Sequence, residues 1–325
     1  MSIILIITSE MDSDADFMIC RLRDQGENPV RLHTQDFPQA ASLSLSLEDD
    51  WRGCIKAQGR EIKAESIRSV WWRRPGAYTL PDSLGREEAK FVSDELHQTL
   101  HGFFESLDCY WMSRPETIRR ASYKLEQLKR AKAMGFEVPS TLVTMDAKAA
   151  QDFYERHGGN IIYKTFSQPI IIGNEHENER SQTVYAQPVS KEQLSDSEAI
   201  RQAPCLFQAN IPKQLELRVT VIGDEVFTAA IHSQENSATQ HDWRHYEVEI
   251  PYSYYELPKD IAERCLNFVK SYGLNFSAMD LVLTPDDRYV FLENNPNGQW
   301  SFIEHEVPEL KMLNAIANLL VRGKA

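Results

Sequence analysis

Asp280, Glu293 and Asn295 place two carboxylates and an amide oxygen close together in the sequence. Asp280 lies in 279-MDLVL-283, and the other two close the run 289-YVFLENN-295, just before 296-PNG-298. Hard oxygen donors of this kind suit Mg2+, which takes one or two carboxylates together with phosphate oxygens and water. They equally suit a solvated sheet end followed by a plain Asn-Pro-Asn-Gly turn. Two lysines could face the same anions. Lys164 sits inside 161-IIYKTF-166, where a cation among strand-formers either points to solvent or meets a buried anion. Lys124 belongs to a stretch with several other basic residues, for which a solvated helix face is the plain alternative.

For the three oxygen donors to meet, the chain must fold back on itself. The apolar runs 279–283 and 289–292 are joined by 284-TPDD-287, a turn signal, and read as an antiparallel hairpin. Asp280 is near the start of the first strand and Glu293 near the end of the second, so antiparallel pairing brings them to the same end. Further elements surround this hairpin. Residues 3–8 read as a buried strand, and 13-SDADFMICRLRDQG-26 as a helix capped by Ser13 and stopped by Gly26. Short β-like pieces follow up to 67-IRSVWW-72, then the helical period of residues 86–107. An open α/β unit is thus expected over residues 1–115. A helix over 117-TIRRASYKLEQLKRAKAMG-135 opens a central unit, 116–205, with the strand 161–166 and a polar loop, 173-GNEHENERSQ-182, read as mobile. A strand-rich unit, 206–325, contains the carboxylate hairpin.

Length and composition bound the function. The chain has 325 residues, 42% hydrophobic and 26% charged, enough for two or three cores. A formal net charge of -13 excludes a general nucleic-acid binder, since no basic excess exists to neutralise phosphates. Five widely spaced cysteines without a CxxC pair fit reduced thiols in the cytoplasm. The opening MSIILIITS lacks a basic lead-in and reads as a strand, and no apolar run approaches a membrane span. There is no GxxxxGK[ST] and no GxGxxG after the first strand, so nucleotide phosphates would have to be held by side chains. No GxSxG supports a serine nucleophile. His97 and His101 have i,i+4 spacing but no glutamate between them and no third ligand, and read as a surface face.

The order of these parts resembles the ATP-grasp superfamily, and within it the microviridin-type peptide ligases, or graspetide synthetases. The parts are a lysine on a helix, a lysine on a strand, then 207-FQANIPKQLELRVTVIG-223, 227-FTAAIHSQ-234, 242-DWR-244 and 279-MDLVLTPDDRYVFLENNPNG-298, with 70-VWWRRP-75 ahead of them. The resemblance covers nearly the whole chain. It departs from the superfamily in having one glycine, Gly173, where many members have a glycine-rich lid, and Glu-Asn-Asn where Glu-Ile-Asn is usual.

The resemblance implies an ATP-grasp fold: an N-terminal pre-ATP-grasp α/β domain, a central lid subdomain and a C-terminal antiparallel subdomain. It also implies ATP and Mg2+, a ribosomal precursor peptide as partner, and a homodimer. By the same likeness, Lys124 and Lys164 contact ATP phosphates, and Gln208, Ala209, Asn210 and Ile211 line the adenine. Glu216 contacts the ribose, Arg218 faces the transferred phosphate and the carboxylate, and Asp280, Glu293 and Asn295 hold magnesium. At least one of Arg73 and Arg74 recognises a substrate carboxylate, since two arginines after two tryptophans are costly at a strand end unless they meet an acid. His232 and Arg244 are expected to contact peptide. A leader segment would dock on the central unit around 183–200, with Glu192 and Asp196 meeting a basic residue and Leu194 supplying apolar contact. The expected reaction activates an Asp or Glu side chain with ATP and closes it on a Thr, Ser or Lys side chain. The competing readings are a ligase that adds amino acids to a protein tail or a small acid, and a non-catalytic nucleotide-dependent peptide binder.

Overall fold

A computed structural model of the chain describes residues 2–167, 170–171, 182–245 and 247–323. The N-terminal unit runs β1 (Ile3–Ile7), α1 (Ser13–Asp24), β2 (Pro29–Leu32), an antiparallel meander of β3 (Ala41–Leu47), β4 (Trp51–Ala57) and β5 (Arg60–Lys63), then β6 (Ile67–Trp72), α2 (Arg86–Glu105) and β7 (Tyr110–Trp111). Every residue of β1 is buried, as befits an all-aliphatic strand in the middle of a parallel sheet covered on both faces. The sheet order is β2-β1-β6-β7, all parallel. The cap of α1 is Asp12, not Ser13, and its carboxylate makes no capping bond because it accepts from Thr8 Oγ1 (2.6 Å).

The helix expected over 117–135 is two helices, α3 (Pro115–Ala121) and α4 (Lys124–Ala133). Ser122 turns its hydroxyl back onto the carbonyl of Ile118 (2.8 Å), and Tyr123 is extended (φ -76°, ψ 103°). Lys124 therefore opens a helix instead of sitting within one.

The central unit comprises β8 (Thr141–Thr144), α5 (Ala147–Arg156), β9 (Ile161–Lys164), the two-residue strands β10 (Ile170–Ile171), β11 (Gln182–Thr183) and β12 (Gln187–Pro188), α6 (Lys191–Ser195), α7 (Ser197–Gln202) and β13 (Cys205–Ala209). Its main sheet is ordered β12-β9-β13-β8 and has a small core of its own, with Phe153, Ile161, Leu194, Ile200 and Phe207. The loop expected over 173–182 lies, but for Gln182, outside the described residues.

The C-terminal unit is an antiparallel sheet ordered β16-β15-β14-β17-β18. Its strands are β14 (Leu215–Ile222), β15 (Glu225–Ile231), β16 (Tyr252–Tyr254), β17 (Phe276–Leu283) and β18 (Tyr289–Asn295). The helices α8 (Lys259–Tyr272), α9 (Ser301–Glu306) and α10 (Met312–Arg322) complete it. Its core is continuous with the N-terminal one: Leu5 and Val70 share a cluster with Leu217 and Met279, and Met18 and Leu22 of α1 meet Ile316 and Leu320 of α10. Among the described residues no helix is long and apolar enough to cross a membrane.

Candidate active site

Strand pleat sorts the side chains of β14 and β17 onto two faces. Leu217, Val219, Met279 and Leu281 go into the core, while Glu216 and Arg218 share the other face with Asp280 and Val282. Arg218 stands directly opposite Asp280, and Nη1 donates to both carboxylate oxygens (2.9 and 3.1 Å). The hairpin of β17 and β18 needs one irregularity to complete this face. Leu281 pairs with Phe291, but Asp280 pairs with Glu293, so Leu292 is an extra residue, a β-bulge. Without it Leu292 would oppose Asp280 and Glu293 would point to the core side with Met279. The bulge re-aims Glu293, and Asn295, two residues on, follows it: its amide donates to Asp280 (3.1 Å) and lies 3.5 Å from Glu293. Asn294 takes the opposite face and accepts from Ser277 Oγ (2.6 Å).

Helix α4 fixes the open edge of β18. Gln127 behaves as a strand surrogate, accepting the N–H of Asn294 (3.0 Å) and donating to its carbonyl (2.8 Å). Lys124, one turn earlier, therefore reaches Glu293 (3.1 Å) and the carbonyl of Thr165 (2.8 Å). Lys164 at the end of β9 faces the same cleft and is half-buried rather than solvated. Burial lowers its pKa to about 8, with Glu293 opposing. Burial alone would raise Glu293, but Lys124, Lys164 and Arg244 hold it well below the usual carboxylate range. Asp280 goes the other way: burial pushes it up, against the pull of Arg218.

The far wall comes from β13 and the segment after it. Gln208, Ala209, Asn210, Ile211, Lys213 and Glu216 line the cleft. Glu216 accepts from Ser233 Oγ (2.8 Å) and pairs with Lys213 (3.0 Å). Buried Gln208 Oε1 and Arg218 Nε have no protein partner among the described residues. Arg244 reaches the cleft from the loop after β15, held by both oxygens of Asp242 (2.8 and 2.7 Å), which also accepts the N–H of Ala186 (3.0 Å). Lys213, Asp242 and Gln127 were not singled out in the sequence. Asp242 stands in the DWR stretch, and Lys213 lies three residues before Glu216, so both had a local signal; Gln127 had none.

These cations and oxygen donors, gathered from the central and C-terminal units of the chain, form one charged cleft. The MvdD pre-ATP grasp domain family matches residues 3–119. The chain is similar to the macrocyclase MdnC from Microcystis aeruginosa, solved bound with its precursor peptide MdnA: 30% identity, 99% of each chain covered and a TM-score of 0.87. The chain belongs to the graspetide ATP-grasp ligases. The macrocyclase MdnB of the same organism is 31% identical, with 99% of each chain covered and a TM-score of 0.81. A RiPP-associated ATP-grasp ligase from Chryseobacterium gregarium, solved with ADP and a leader and core peptide, is 29% identical, with 99% and 97% covered and a TM-score of 0.88. No curated protein matches the sequence significantly.

Three expected contacts of this ligase stand elsewhere. Arg73 does meet acids, but they are its own chain's: the side chain is sealed from solvent against Asp14, with Asp12 at 3.6 Å. A guanidinium filled in this way is not free for a substrate carboxylate, which leaves exposed Arg74 as the candidate. Leu194 is buried in the central core, so it offers no apolar contact to a peptide. Beside it, Glu192 and Asp196 are exposed, and Asp196 separates α6 from α7, which it caps through the N–H of Ala199 (3.0 Å). His232 follows β15, shares a hydrogen bond with Ser253 Oγ (2.9 Å) and is not among the residues lining the cleft. His97 is exposed and its ring lies 4.0 Å from that of His101, which rests on Trp72; no cluster of three metal-ligating His, Cys, Asp or Glu residues forms among the described residues.

Proposed function

We propose that the protein is an ATP-dependent macrocyclase that closes side-chain ester or amide rings in a ribosomally made precursor peptide. What carries the reading is the convergence of Arg218, Lys124 and Lys164 with Asp280, Glu293 and Asn295 in a chain that matches peptide-bound macrocyclases from end to end. The donor set fits Mg2+, and the unpartnered Gln208 and Arg218 atoms fit a polar ligand in the cleft. Asp280, Glu293 and Asn295 would hold the metal, which would supply neutralisation of phosphate charge.

A carboxylate does not condense with an alcohol or amine at neutral pH, because hydroxide is a poor leaving group. In the proposed sequence an Asp or Glu oxygen of the peptide attacks the γ-phosphorus of ATP, the bond to the ADP oxygen breaks, and an acyl phosphate forms. A Thr or Ser hydroxyl, or a Lys amine, then attacks the carbonyl carbon and phosphate leaves with the acyl oxygen. Lys124 and Lys164 neutralise phosphate oxygens, and Arg218, fixed on Asp280, faces the transferred group, where charge stabilisation counts most. Gln208 to Ile211 line the base and Glu216 the ribose. Arg244, held on Asp242, faces the peptide, and Arg74 is the further candidate for its carboxylate. Domain limits at 115 and 205 belong to this reading, although β13 (Cys205–Ala209), paired with β8 and β9, carries the central sheet on to Ala209. The likeness supports a homodimer and the free thiols a cytoplasmic protein.

Purified protein with ATP, precursor peptide and Mg2+ should release ADP and phosphate and yield a peptide one water lighter per ring. AMP and pyrophosphate would remove the acyl-phosphate route. A peptide heavier by an amino acid would replace macrocyclisation with ligation.

A further inference from the structure

We infer that Arg73, with Asp14 and the turn 296–298, is a positioning device for Arg218, so that the N-terminal unit sets the geometry of the phosphoryl-transfer site. The inference rests on the proposed reaction for its consequence, though not for its geometry. A guanidinium withdrawn from water is costly unless its charge and donors are met within the protein. Arg73 could have filled them with acids alone. Instead one arm goes to Asp14 and the other to two backbone carbonyls more than two hundred residues away, Asn297 (2.6 Å) and Gly298 (3.2 Å). Asn297 returns a bond from its amide to the carbonyl of Arg73 (2.6 Å), and Asp14 accepts the N–H of Ser301 (3.3 Å) at the start of α9. Both ends of the turn are thus tied to β6 and α1.

The turn in turn seats Arg218. The carbonyl of Gln299 accepts from Arg218 Nη2 (3.1 Å). Gly298 leaves that guanidinium its room: a Cβ there would fall 2.7 Å from Arg218 Nη2 and 2.6 Å from Ala278 Cβ. The height of the turn therefore decides where Arg218 stands while its other nitrogen grips Asp280. Arg73 is a positioning residue: it acts on the reaction through the turn and Arg218.

Three substitutions separate positioning from plain stability. Asn297→Ala removes the returning bond and leaves the buried ion pair. Gly298→Ala pushes on Arg218 directly, and Arg73→Lys keeps the charge but offers one nitrogen where two arms reach Asp14 and the carbonyls. Each should lower kcat by about tenfold or more with KM for ATP within about twofold, the pattern of an interaction made in the transition state. Asn297→Ala combined with Gly298→Ala should be no slower than the slower single variant, since both act through one side chain. Nitrogen-15 spectra of the Arg218 guanidinium, assigned through Arg218→Lys, should show restrained signals in the wild type that average in each variant. Unchanged Arg218 signals in Asn297→Ala and Gly298→Ala, multiplying losses in the pair, or a raised KM at constant kcat would each overturn the inference. A wild type without turnover would count against the proposed reaction, and the spectra would still decide the positioning.

Discussion

Two buried clusters of cations and carboxylates lie in this molecule, and they are built to opposite ends. Around Arg73, the guanidinium and its partner Asp14 are at most 2% exposed, and the charges are matched from within the chain. In the cleft, Lys124 and Glu293 remain about a fifth exposed, and Lys164 feels Glu293 only as a nearby charge. The first cluster is closed to solvent with its charge answered by Asp14 and Asp12, and so can only hold things in place. The second keeps cationic capacity for an incoming anion, and its pKa shifts are the mark of that: a lysine brought down to about 8 by burial, beside a glutamate held well down. Buried charge by itself says little about catalysis; whether its partners are already supplied by the chain says much more.

Removing one member of each cluster should produce the largest difference. Arg73→Ala strands Asp14 and two carbonyls in a dry seam, and should cost about 3–5 kcal/mol of stability. Lys164→Met removes a charge that burial, Lys213 and Lys124 already oppose, and should leave stability at or above the wild-type level. Denaturant unfolding of both variants checks this. A loss in Lys164→Met comparable with that in Arg73→Ala would erase the distinction between the clusters.

The carboxylates come next. Glu293→Gln and Asp280→Asn keep volume while removing charge from the metal donors, and each should slow product formation on the order of a hundredfold or more, as loss of a preorganised electrostatic group does. Peptide binding and the fold should persist. Near wild-type cyclisation in both variants would remove the metal assignment.

The hairpin that carries these donors was legible in the sequence because two β-rich runs flank an evident turn. The face on which they appear was not. Strict pairing from the turn puts Leu292 opposite Asp280, and only the bulge brings Glu293 there. Nothing in 289-YVFLENN-295 marks the bulge, although the chemistry requires it. Likewise 117-TIRRASYKLEQLKRAKAMG-135 has an unbroken helical period, and the break at Ser122 and Tyr123 is settled by packing of α3 and α4 on different neighbours. Of the two arginines of 70-VWWRRP-75, Arg73 meets an acid and Arg74 is exposed, and sequence cannot show that the acid, Asp14, lies across the seam. Local pattern reads elements and donor types; partners contributed by distant segments appear only when the chain is folded.

A pH experiment sharpens the contrast with a smaller effect. In the free protein Lys164 titrates near about 8, and a bound polyanion would raise that value. At pH 8 roughly half of the free lysine is neutral, so nucleotide binding should take up about half a proton there and almost none from this residue at pH 6.5. Above pH 8 affinity should fall, because protonating Lys164 then becomes part of the binding equilibrium. Calorimetry in two buffers of different ionisation enthalpy measures the uptake. It should vanish in Lys164→Met; equal uptake in that variant would assign the proton to another group.

The smallest expected effect lies outside both clusters, on the exposed acids of the central unit. Glu192 sits in the first turn of α6 and is open to solvent. If a basic leader residue docks there, the contact is a screened surface pair, and Glu192→Lys should weaken leader affinity a few-fold, at most about tenfold. Asp196 needs a gentler change, because its carboxylate caps α7; Asp196→Asn retains a capping acceptor while removing the charge. Leu194 should not be altered for this purpose, since it belongs to the core. The loss should shrink further as salt is raised, whereas ATP hydrolysis without peptide should not change in either variant. Fluorescence titration of a labelled leader at two salt concentrations measures both. Unaltered affinity in the Glu192→Lys, Asp196→Asn double variant would place the leader on another surface.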